Sequence, residues 1–145
     1  MAAGAGFKRP ESVLVVVYTR ALECLLLERV SPPGFWQSVT GTLHWDERPA
    51  ECAAREVREE TGLDPSGLRD AHVQRTFPIL PAWRARYAPG VATNLEHWWY
   101  LELEAVQPVR LNPDEHVRYE WLNLPAAIER ATSWTNRAAF EQLRR

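Results

Sequence analysis

Residues 41–63 read GTLHWDERPAECAAREVREETGL, and this stretch contains a helix whose start and end are both marked. Pro49 suits the first turn of a helix, where a backbone N–H group is not needed. Gly62 suits the left-handed position that follows a last helical turn. Because the residues between them are strong helix formers, the stretch predicts a helix over Pro49–Thr61.

A helical wheel of this segment separates an apolar stripe from an acidic one. Glu56, Glu59 and Glu60 lie together on the acidic stripe, beside the stripe that carries Ala53 and Val57. Like charges at this spacing destabilise a helix unless something neutralises them. A hard divalent cation with oxygen ligands would do so. The alternative is a solvent-exposed face on which Glu and Arg side chains pair, and the helix alone does not decide between the two.

The rest of the chain predicts a mixed α/β fold with helices packed on a central sheet. Short apolar or β-branched runs predict strands at 12–18, 22–28, 35–42, 71–77, 97–103 and 117–122. Residues 125–131 and 134–143 predict two closing helices. Residues 78–90 contain several Pro and Gly, which predicts a long irregular loop, and loops of that length in compact domains are usually functional. The order of strands, helix, strands and helices is typical of a layered α/β domain.

Composition excludes several classes of function. The chain has 145 residues and a formal net charge of −2, so we expect one domain over residues 8–145, a flexible segment over 1–7, and no nucleic-acid or membrane partner. No apolar run has the length of a membrane helix or the character of a signal peptide. Cys24 and Cys52 are too few for a disulfide framework, which favours a cytoplasmic protein. We expect a monomer or a small homo-oligomer.

The spacing of the whole segment 41–63 identifies a family. The segment matches the Nudix box at every position. Its pattern is Gly, five residues, Glu, seven residues, Arg-Glu-Val, one residue, Glu-Glu, one residue and Gly-Leu. A chance match at the seven Gly, Glu and Arg positions alone has odds of roughly one in a million or less per chain. The chain therefore resembles the Nudix hydrolases. The resemblance implies cleavage of a diphosphate linkage and an α/β/α sandwich that covers essentially the whole chain.

The resemblance also implies roles for the box residues. The box would form a loop–helix–loop whose glutamates bind Mg²⁺, which Mn²⁺ can replace. Glu56 and Glu60 would be metal ligands, and Glu59 a further ligand or a base that acts through water. The remaining roles are structural: Glu47 would be held by Arg55, and two glycines would permit the turns at either end of the box, namely Gly41 and Gly62.

Segments outside the box resemble the branch of this family that acts on dihydroneopterin triphosphate. They lie at residues 8–10, 35–41, 86–91, 94–98, 114–116, 119–122 and 133–136. This branch converts 7,8-dihydroneopterin triphosphate to the monophosphate and pyrophosphate in folate biosynthesis. The resemblance implies a third metal ligand at Glu115, a substrate-facing loop over residues 77–84, and substrate contacts at Lys8, Arg29, Thr40 and Ser133. Charge adds Arg86, since a triphosphate needs cationic partners.

The expected chemistry is direct attack on phosphorus by a metal-activated water. Either Glu59 or Glu115 would take the proton, and the sequence leaves both open. Other substrates also remain open, namely nucleoside triphosphates, dinucleoside polyphosphates and ADP-ribose. A non-catalytic ligand sensor is a further alternative, although such a protein would be expected to have lost box carboxylates.

Three further residue types, Trp, His and Ser, are considered as functional groups. Trp36 is either a stacking partner for a flat ring or a core residue, and core is the commoner fate of a single Trp. The four histidines show no ligand spacing, so a zinc site is not expected. Ser38 and Ser133 have no adjacent base pattern, so covalent catalysis is not expected either.

Overall fold

The computed structural model describes residues 6–144 of the chain. The flexible segment expected over residues 1–7 lies outside the described residues at positions 1–5. At its end, the carbonyl of Phe7 accepts a hydrogen bond of 2.9 Å from the indole of Trp45. No helix among residues 6–144 combines the length and the apolar character needed to cross a membrane.

The described residues form a mixed sheet with helices on both faces. The strands are β1 Glu11–Thr19, β2 Glu23–Arg29, β3 Trp36–Gln37, β4 Val39–Thr42, β5 Leu68–Pro78, β6 Thr93–Leu103 and β7 His116–Asn123. The helices are α1 Pro49–Thr61, α2 Leu124–Arg130 and α3 Trp134–Gln142, with a 3-10 helix at Pro81–Arg86. The main path through the sheet runs β3-β2-β1-β6-β5; β4 pairs with β1, and β7 pairs with β2. Only the β1–β6 pairing is parallel among these pairs.

Strand β1 lies at the centre and divides the core in two. Its successive side chains point to opposite faces of the sheet. Val13, Val15 and Val17 pack with the buried side of α1, whereas Leu14 and Val16 pack in a second cluster with residues of α2 and α3. The result is a three-layer α/β/α sandwich, which confirms the fold class that the sequence predicts.

Helix α1 occupies the residues predicted for it. Pro49 lies in the first turn, and Gly62 ends the helix with a φ of 72° in the left-handed region. Arg48 precedes the helix, and its backbone N–H donates to the Glu51 carboxylate at 2.9 Å. This bond satisfies one of the free donors at the start of the helix.

The structure corrects the predicted strand over residues 35–42. It contains two short strands, β3 and β4, which pair with β2 and β1 respectively. The break falls at Ser38, whose backbone N–H donates to Asn136 Oδ1 at 2.7 Å and whose hydroxyl accepts from Asn136 Nδ2 at 2.9 Å. Because a side chain from α3 takes this N–H group, the chain can change its partner strand here.

Other boundaries also differ from the prediction, including that of strand β6, which begins at Thr93 rather than at residue 97. Strand β5 begins at Leu68 rather than at residue 71, and its register shifts between Asp70 and Gln74. The shift surrounds His72, whose φ is 54° and whose backbone N–H donates to Asp70 Oδ1 at 2.8 Å. Such an irregularity breaks the alternating pattern from which strands are recognised. The predicted irregular loop over 78–90 contains the 3-10 helix Pro81–Arg86.

The bridge between α3 and the sheet is open to a direct test. Asn136→Ala removes two hydrogen bonds at a fully buried position and leaves the Ser38 N–H group without its partner. We expect a loss of about 2–4 kcal/mol in the free energy of unfolding, measured by urea denaturation. Ser38→Ala removes only the hydroxyl bond and should lose about 1 kcal/mol. Equal losses in the two variants would contradict the importance of the backbone bond.

Candidate functional site

Helix α1 directs two of its carboxylates inward and one outward. Glu56 and Glu60 are buried, whereas the Glu59 side chain is 55% exposed. All three were predicted metal ligands, and the structure brings the first two together beneath strand β4. There the backbone N–H of Thr40 donates to Glu60 Oε1 at 3.4 Å. Thr40, a predicted substrate contact, therefore lies next to the buried carboxylates.

Arg55 joins the box loop to the helix. It donates from Nε and Nη2 to the two oxygens of Glu47, each at 2.8 Å. It also donates to the carbonyl of Thr42 and, from Nη1, to Glu56 at 3.3 Å and Glu59 at 3.2 Å. The hydrogen bonds from Arg55 lower the pKa of Glu47 to about 2. This is the pairing that the family resemblance implies for Glu47.

Arg9 fixes the same loop from the other side, a role that was not predicted from the sequence. Its Nη1 donates to the carbonyls of His44 and Glu47, each at 2.9 Å. Its Nη2 donates to Glu11 at 2.7 Å in strand β1. The loop is therefore attached both to the helix and to the central strand.

Glycine is needed at position 41 for a reason different from the expected one. It lies within strand β4 and has no positive φ, so the expectation that it permits a turn is wrong. A Cβ atom at this position would lie 1.4 Å from Glu56 Oε2. Only glycine leaves space for the Glu56 carboxylate against the strand. Gly62, in contrast, occupies the left-handed turn expected of it.

The buried carboxylates lie in an environment that disfavours their charge. Burial, together with the neighbouring Glu59, raises the pKa of Glu56 to about 8. Burial also raises the pKa of Glu60 well above its ordinary value, and the charges of Glu56 and Glu115 act in the same direction. Two carboxylates held in this way repel each other when both are ionised.

Glu115 and His116 come from the far end of the chain to complete the cluster. One donor atom from each of Glu60, Glu115 and His116 lies within 4.8 Å of the others. His116 is buried, and its Nδ1 has no hydrogen-bond partner among the described residues. Burial lowers the pKa of His116 to about 4, so it is neutral at neutral pH. Glu115 was predicted, but His116 was not. Its only sequence signal is that it follows Glu115 directly.

These groups fit a divalent cation. Glu60 receives one long hydrogen bond, and the buried Nδ1 of His116 receives none from the described residues. Carboxylate oxygens are the preferred ligands of hard cations, and an imidazole also accepts first-row metals. A cation held by Glu56, Glu60 and Glu115 would offset their mutual repulsion.

Basic side chains face the acidic cluster. Burial lowers the pKa of Lys8, and nearby Arg86 and Arg29 lower it further. Burial also lowers the pKa of Arg29, whereas Glu60 and Glu115 act in the opposite direction. The backbone N–H of Lys8 donates to the carbonyl of Arg86 at 2.8 Å, which holds the 3-10 helix against the start of the chain. The predicted contacts Lys8, Arg29 and Arg86 are therefore close together.

Ser133 and Trp36, which were considered as substrate contacts from the sequence, both make contacts that stabilise the fold. Ser133 caps helix α3, and its hydroxyl accepts from the backbone N–H of Asn136 at 3.1 Å. A contact between Ser133 and substrate stays a prediction. Trp36 is buried in the core, and the guanidinium groups of Arg118 and Arg130 lie over its ring at 5.8 and 4.9 Å. Its contacts therefore favour the core interpretation over ring stacking.

A cavity adjoins the basic residues. Its volume is about 450 Å³, and its lining is mostly apolar and includes Phe7, Tyr87 and Val91. The Lys8 ammonium group lies 5.7 Å from the centre of the Tyr87 ring. A compact organic group would fit in a cavity of this size.

Comparison with known proteins identifies the family. The family model described as "NUDIX domain" matches residues 8–143. The chain is 43% identical over 141 residues to dihydroneopterin triphosphate diphosphatase of Escherichia coli, covering 94% of this chain and 93% of the relative. It is 38% identical to the enzyme of that name from Haemophilus influenzae, covering 94% and 88%. The structure of the E. coli dihydroneopterin triphosphate pyrophosphohydrolase superposes with a TM-score of 0.87 at 41% identity, covering 94% and 95%.

The chain belongs to the Nudix family, as its box predicts. It is a Nudix hydrolase that acts on a phosphate-containing small molecule. Enzymes of this family generally use a divalent metal ion, and the cluster of Glu60, Glu115 and His116 could hold one.

The close contact at Gly41 predicts a selective loss of cation binding. In Gly41→Ala the new methyl group displaces the Glu56 carboxylate, so affinity for Mn²⁺ should fall at least tenfold, measured by titration calorimetry. Gly67→Ala is the matched control, because its Cβ would meet only the Leu101 side chain at 3.4 Å. Unchanged Mn²⁺ affinity in Gly41→Ala would show that Glu56 does not bind the ion.

The Glu47–Arg55 pair predicts a dependence of stability on pH. Because the folded-state pKa of Glu47 is about 2, below its ordinary 4.5, its ionised form stabilises the fold above pH 4.5. This stabilisation is lost as the pH falls from 4.5 towards 2. Glu47→Gln should therefore lose about 1–3 kcal/mol at pH 7, and the difference from wild type should narrow below pH 4.5. Urea denaturation at pH 7, 5 and 3.5 measures this, and a constant difference would contradict it.

Proposed function

We propose that this chain hydrolyses 7,8-dihydroneopterin triphosphate to dihydroneopterin monophosphate and pyrophosphate, with Mg²⁺ as its metal ion. The observation that carries the proposal is the meeting of two charged groups of residues. Glu56 and Glu115 lie near enough to Glu60 for their charges to raise its pKa, and the charges of these glutamates also act on Lys8 and Arg29. A polyphosphate with a bound divalent cation needs both kinds of partner.

Mg²⁺ suits a site whose ligands are mainly carboxylate oxygens. Mg²⁺ is usually held by one or two carboxylates together with water and substrate phosphates. When bound, it neutralises phosphate charge and lowers the pKa of a water molecule. The buried pair Glu56 and Glu60 would hold it on the helix side, and Glu115 on the side of β7.

The protein's own side chains bind the phosphates and accept the proton from water. Lys8, Arg29 and Arg86 hold the phosphates by charge, with the two arginines able to form bidentate bonds. Glu59 is the most exposed of the box glutamates and is held at 3.2 Å by Arg55, which suits a group that accepts a proton from water. Glu115 is the other candidate for that step, since it is exposed as well.

The pterin assignment rests on resemblance over nearly the whole chain. Both curated relatives named above act, by name, on dihydroneopterin triphosphate, and they align over 94% of this chain. The mostly apolar cavity is lined by Phe7 and Tyr87, the chain neighbours of Lys8 and Arg86, and gives space for an organic group. We extend the proposal to the substrate residues Lys8, Arg29, Thr40, Ser133 and Arg86, within one catalytic domain over residues 8–145.

Product analysis by phosphorus NMR tests the substrate. The panel holds dihydroneopterin triphosphate, dATP, ADP-ribose and diadenosine tetraphosphate, each with Mg²⁺ and then with excess chelator. We expect pyrophosphate to be released fastest from the pterin compound, and only with the metal. Faster turnover of another compound would contradict the pterin assignment. Binding without turnover of any compound would indicate a sensor.

Loss of one buried carboxylate should separate catalysis from folding. Glu56→Gln removes a charge from the cation site and keeps its shape, so kcat should fall by at least 100-fold. Without metal, thermal unfolding of this variant should occur at or above the wild-type temperature, because the cost of burying the Glu56 charge is gone. Near-normal turnover by a folded Glu56→Gln protein would contradict the metal assignment. Arg58→Gln, on the exposed side of α1, is the control.

A further inference from the structure

Arg29 is held in place by two aromatic rings. Its guanidinium carbon lies 5.3 Å from the centre of the Trp83 ring and 6.0 Å from that of Phe35. The two ring centres are 6.3 Å apart, with the rings inclined by 55°. The three planar groups therefore form one cluster, which we call the Arg29 cluster.

Only one of the nitrogen atoms in the Arg29 guanidinium group donates a hydrogen bond within the described residues. Its Nε donates to the carbonyl of Ser31 at 2.7 Å. Among the described residues, Nη1 and Nη2 make no hydrogen bond and Arg29 forms no ion pair. Arg55 differs, since its Nη1 donates to Glu56 and Glu59 and its Nη2 donates to Glu47. The free Nη atoms of Arg29 lie in a region that also contains Lys8 and Arg86, where an anion would be attracted.

The two rings reach Arg29 from different parts of the chain. Phe35 is local: its backbone carbonyl accepts from the N–H of Arg29 at 2.9 Å, at the end of the β2–β3 connection. Trp83 belongs to the 3-10 helix, and its backbone N–H donates to Leu80 at 2.8 Å. The loop between β5 and β6 therefore contributes an aromatic face to a side chain on β2.

The physical effect of such a cluster is to restrict the arginine before an anion arrives. A free arginine side chain has many rotamers, and it loses that freedom when it binds. Stacking on aromatic faces reduces the loss, because the planar group is already held. With Nε committed to Ser31, the paired Nη atoms remain as the donors for a phosphate.

We propose that Trp83 is a positioning residue that, with Phe35, holds Arg29 ready to bind a phosphate group of the substrate. The inference rests on the proposed function only in taking that anion to be a phosphate. Trp83 itself acts through Arg29 and makes no contact that selects the organic part of the substrate.

Inorganic pyrophosphate tests this proposal directly, because it offers phosphate groups without the organic part of the substrate. Binding of inorganic pyrophosphate in the presence of Mg²⁺ is measured by titration calorimetry for Trp83→Ala, Trp83→Phe and Arg29→Ala. Trp83→Ala should weaken binding about 2- to 30-fold, the range expected for loss of a cation–π contact. Trp83→Phe should recover most of the affinity. Trp134→Ala, at an exposed position on α3, should change nothing.

A double-mutant cycle separates positioning from an independent contact. If Trp83 acts through Arg29, the double variant Trp83→Ala/Arg29→Ala should bind pyrophosphate no more weakly than Arg29→Ala alone. Additive losses would overturn the inference. So would unchanged pyrophosphate affinity in Trp83→Ala combined with a raised KM for the organic substrate, since the ring would then contact the substrate itself.

A second variant guards against a folding defect in the loop. Phe35→Leu removes the other ring without substituting a residue of the 3-10 helix, and it should also weaken pyrophosphate binding. Normal binding by Phe35→Leu and by folded Trp83→Ala would overturn the inference. The proposed function fails separately, if the phosphorus NMR panel favours another compound while these pyrophosphate results still hold.

Discussion

The contact between the Glu56 carboxylate and the backbone of Gly41 is the constraint on which the site depends. It requires helix α1 to lie close against strand β4, closer than any side chain at position 41 would allow. That approach buries Glu56 and Glu60 together, which raises their pKa values and makes the site unfavourable without a cation. The hydrogen bonds that hold the box loop support the same close approach of α1 to β4. Arg55 and Arg9 hold Glu47 and its neighbours so that the helix cannot move away from the strand.

The site is assembled from segments that the sheet brings together. Helix α1 supplies the buried carboxylates, the turn before β7 supplies Glu115, and the first residue of β7 is His116. The opposite charge comes from the start of the chain and from β2, through Lys8 and Arg29. The negative groups are thus partly local in sequence, whereas the positive groups depend on how the strands are ordered. This division explains why the reaction class can be read from one segment and the substrate cannot.

Local spacing is what made part of this protein predictable from its sequence. Helix α1 and its stop at Gly62 follow from propensity and periodicity, and the acidic stripe follows from the helical repeat. The break at Ser38 could not be foreseen, because its cause is Asn136 on a helix far along the chain. The role of Gly41 was misjudged for the same reason, since a turn is a local property and a close approach of another element is not. His116 is the first residue of β7 and lies one residue before the predicted strand 117–122, so the alternating pattern did not include it.

The loop between β5 and β6 illustrates how substrate recognition can change while the chemistry is retained. The carboxylates lie against the backbone of β4, so a side chain at Gly41 would displace Glu56. The loop touches the site through Lys8, which its carbonyl at Arg86 binds, and through Arg29, which its Trp83 covers. Changes in its length or sequence would therefore alter the placement of the phosphate-binding cations without disturbing the metal ligands. A fold arranged in this way can keep one reaction and vary the compound on which it acts.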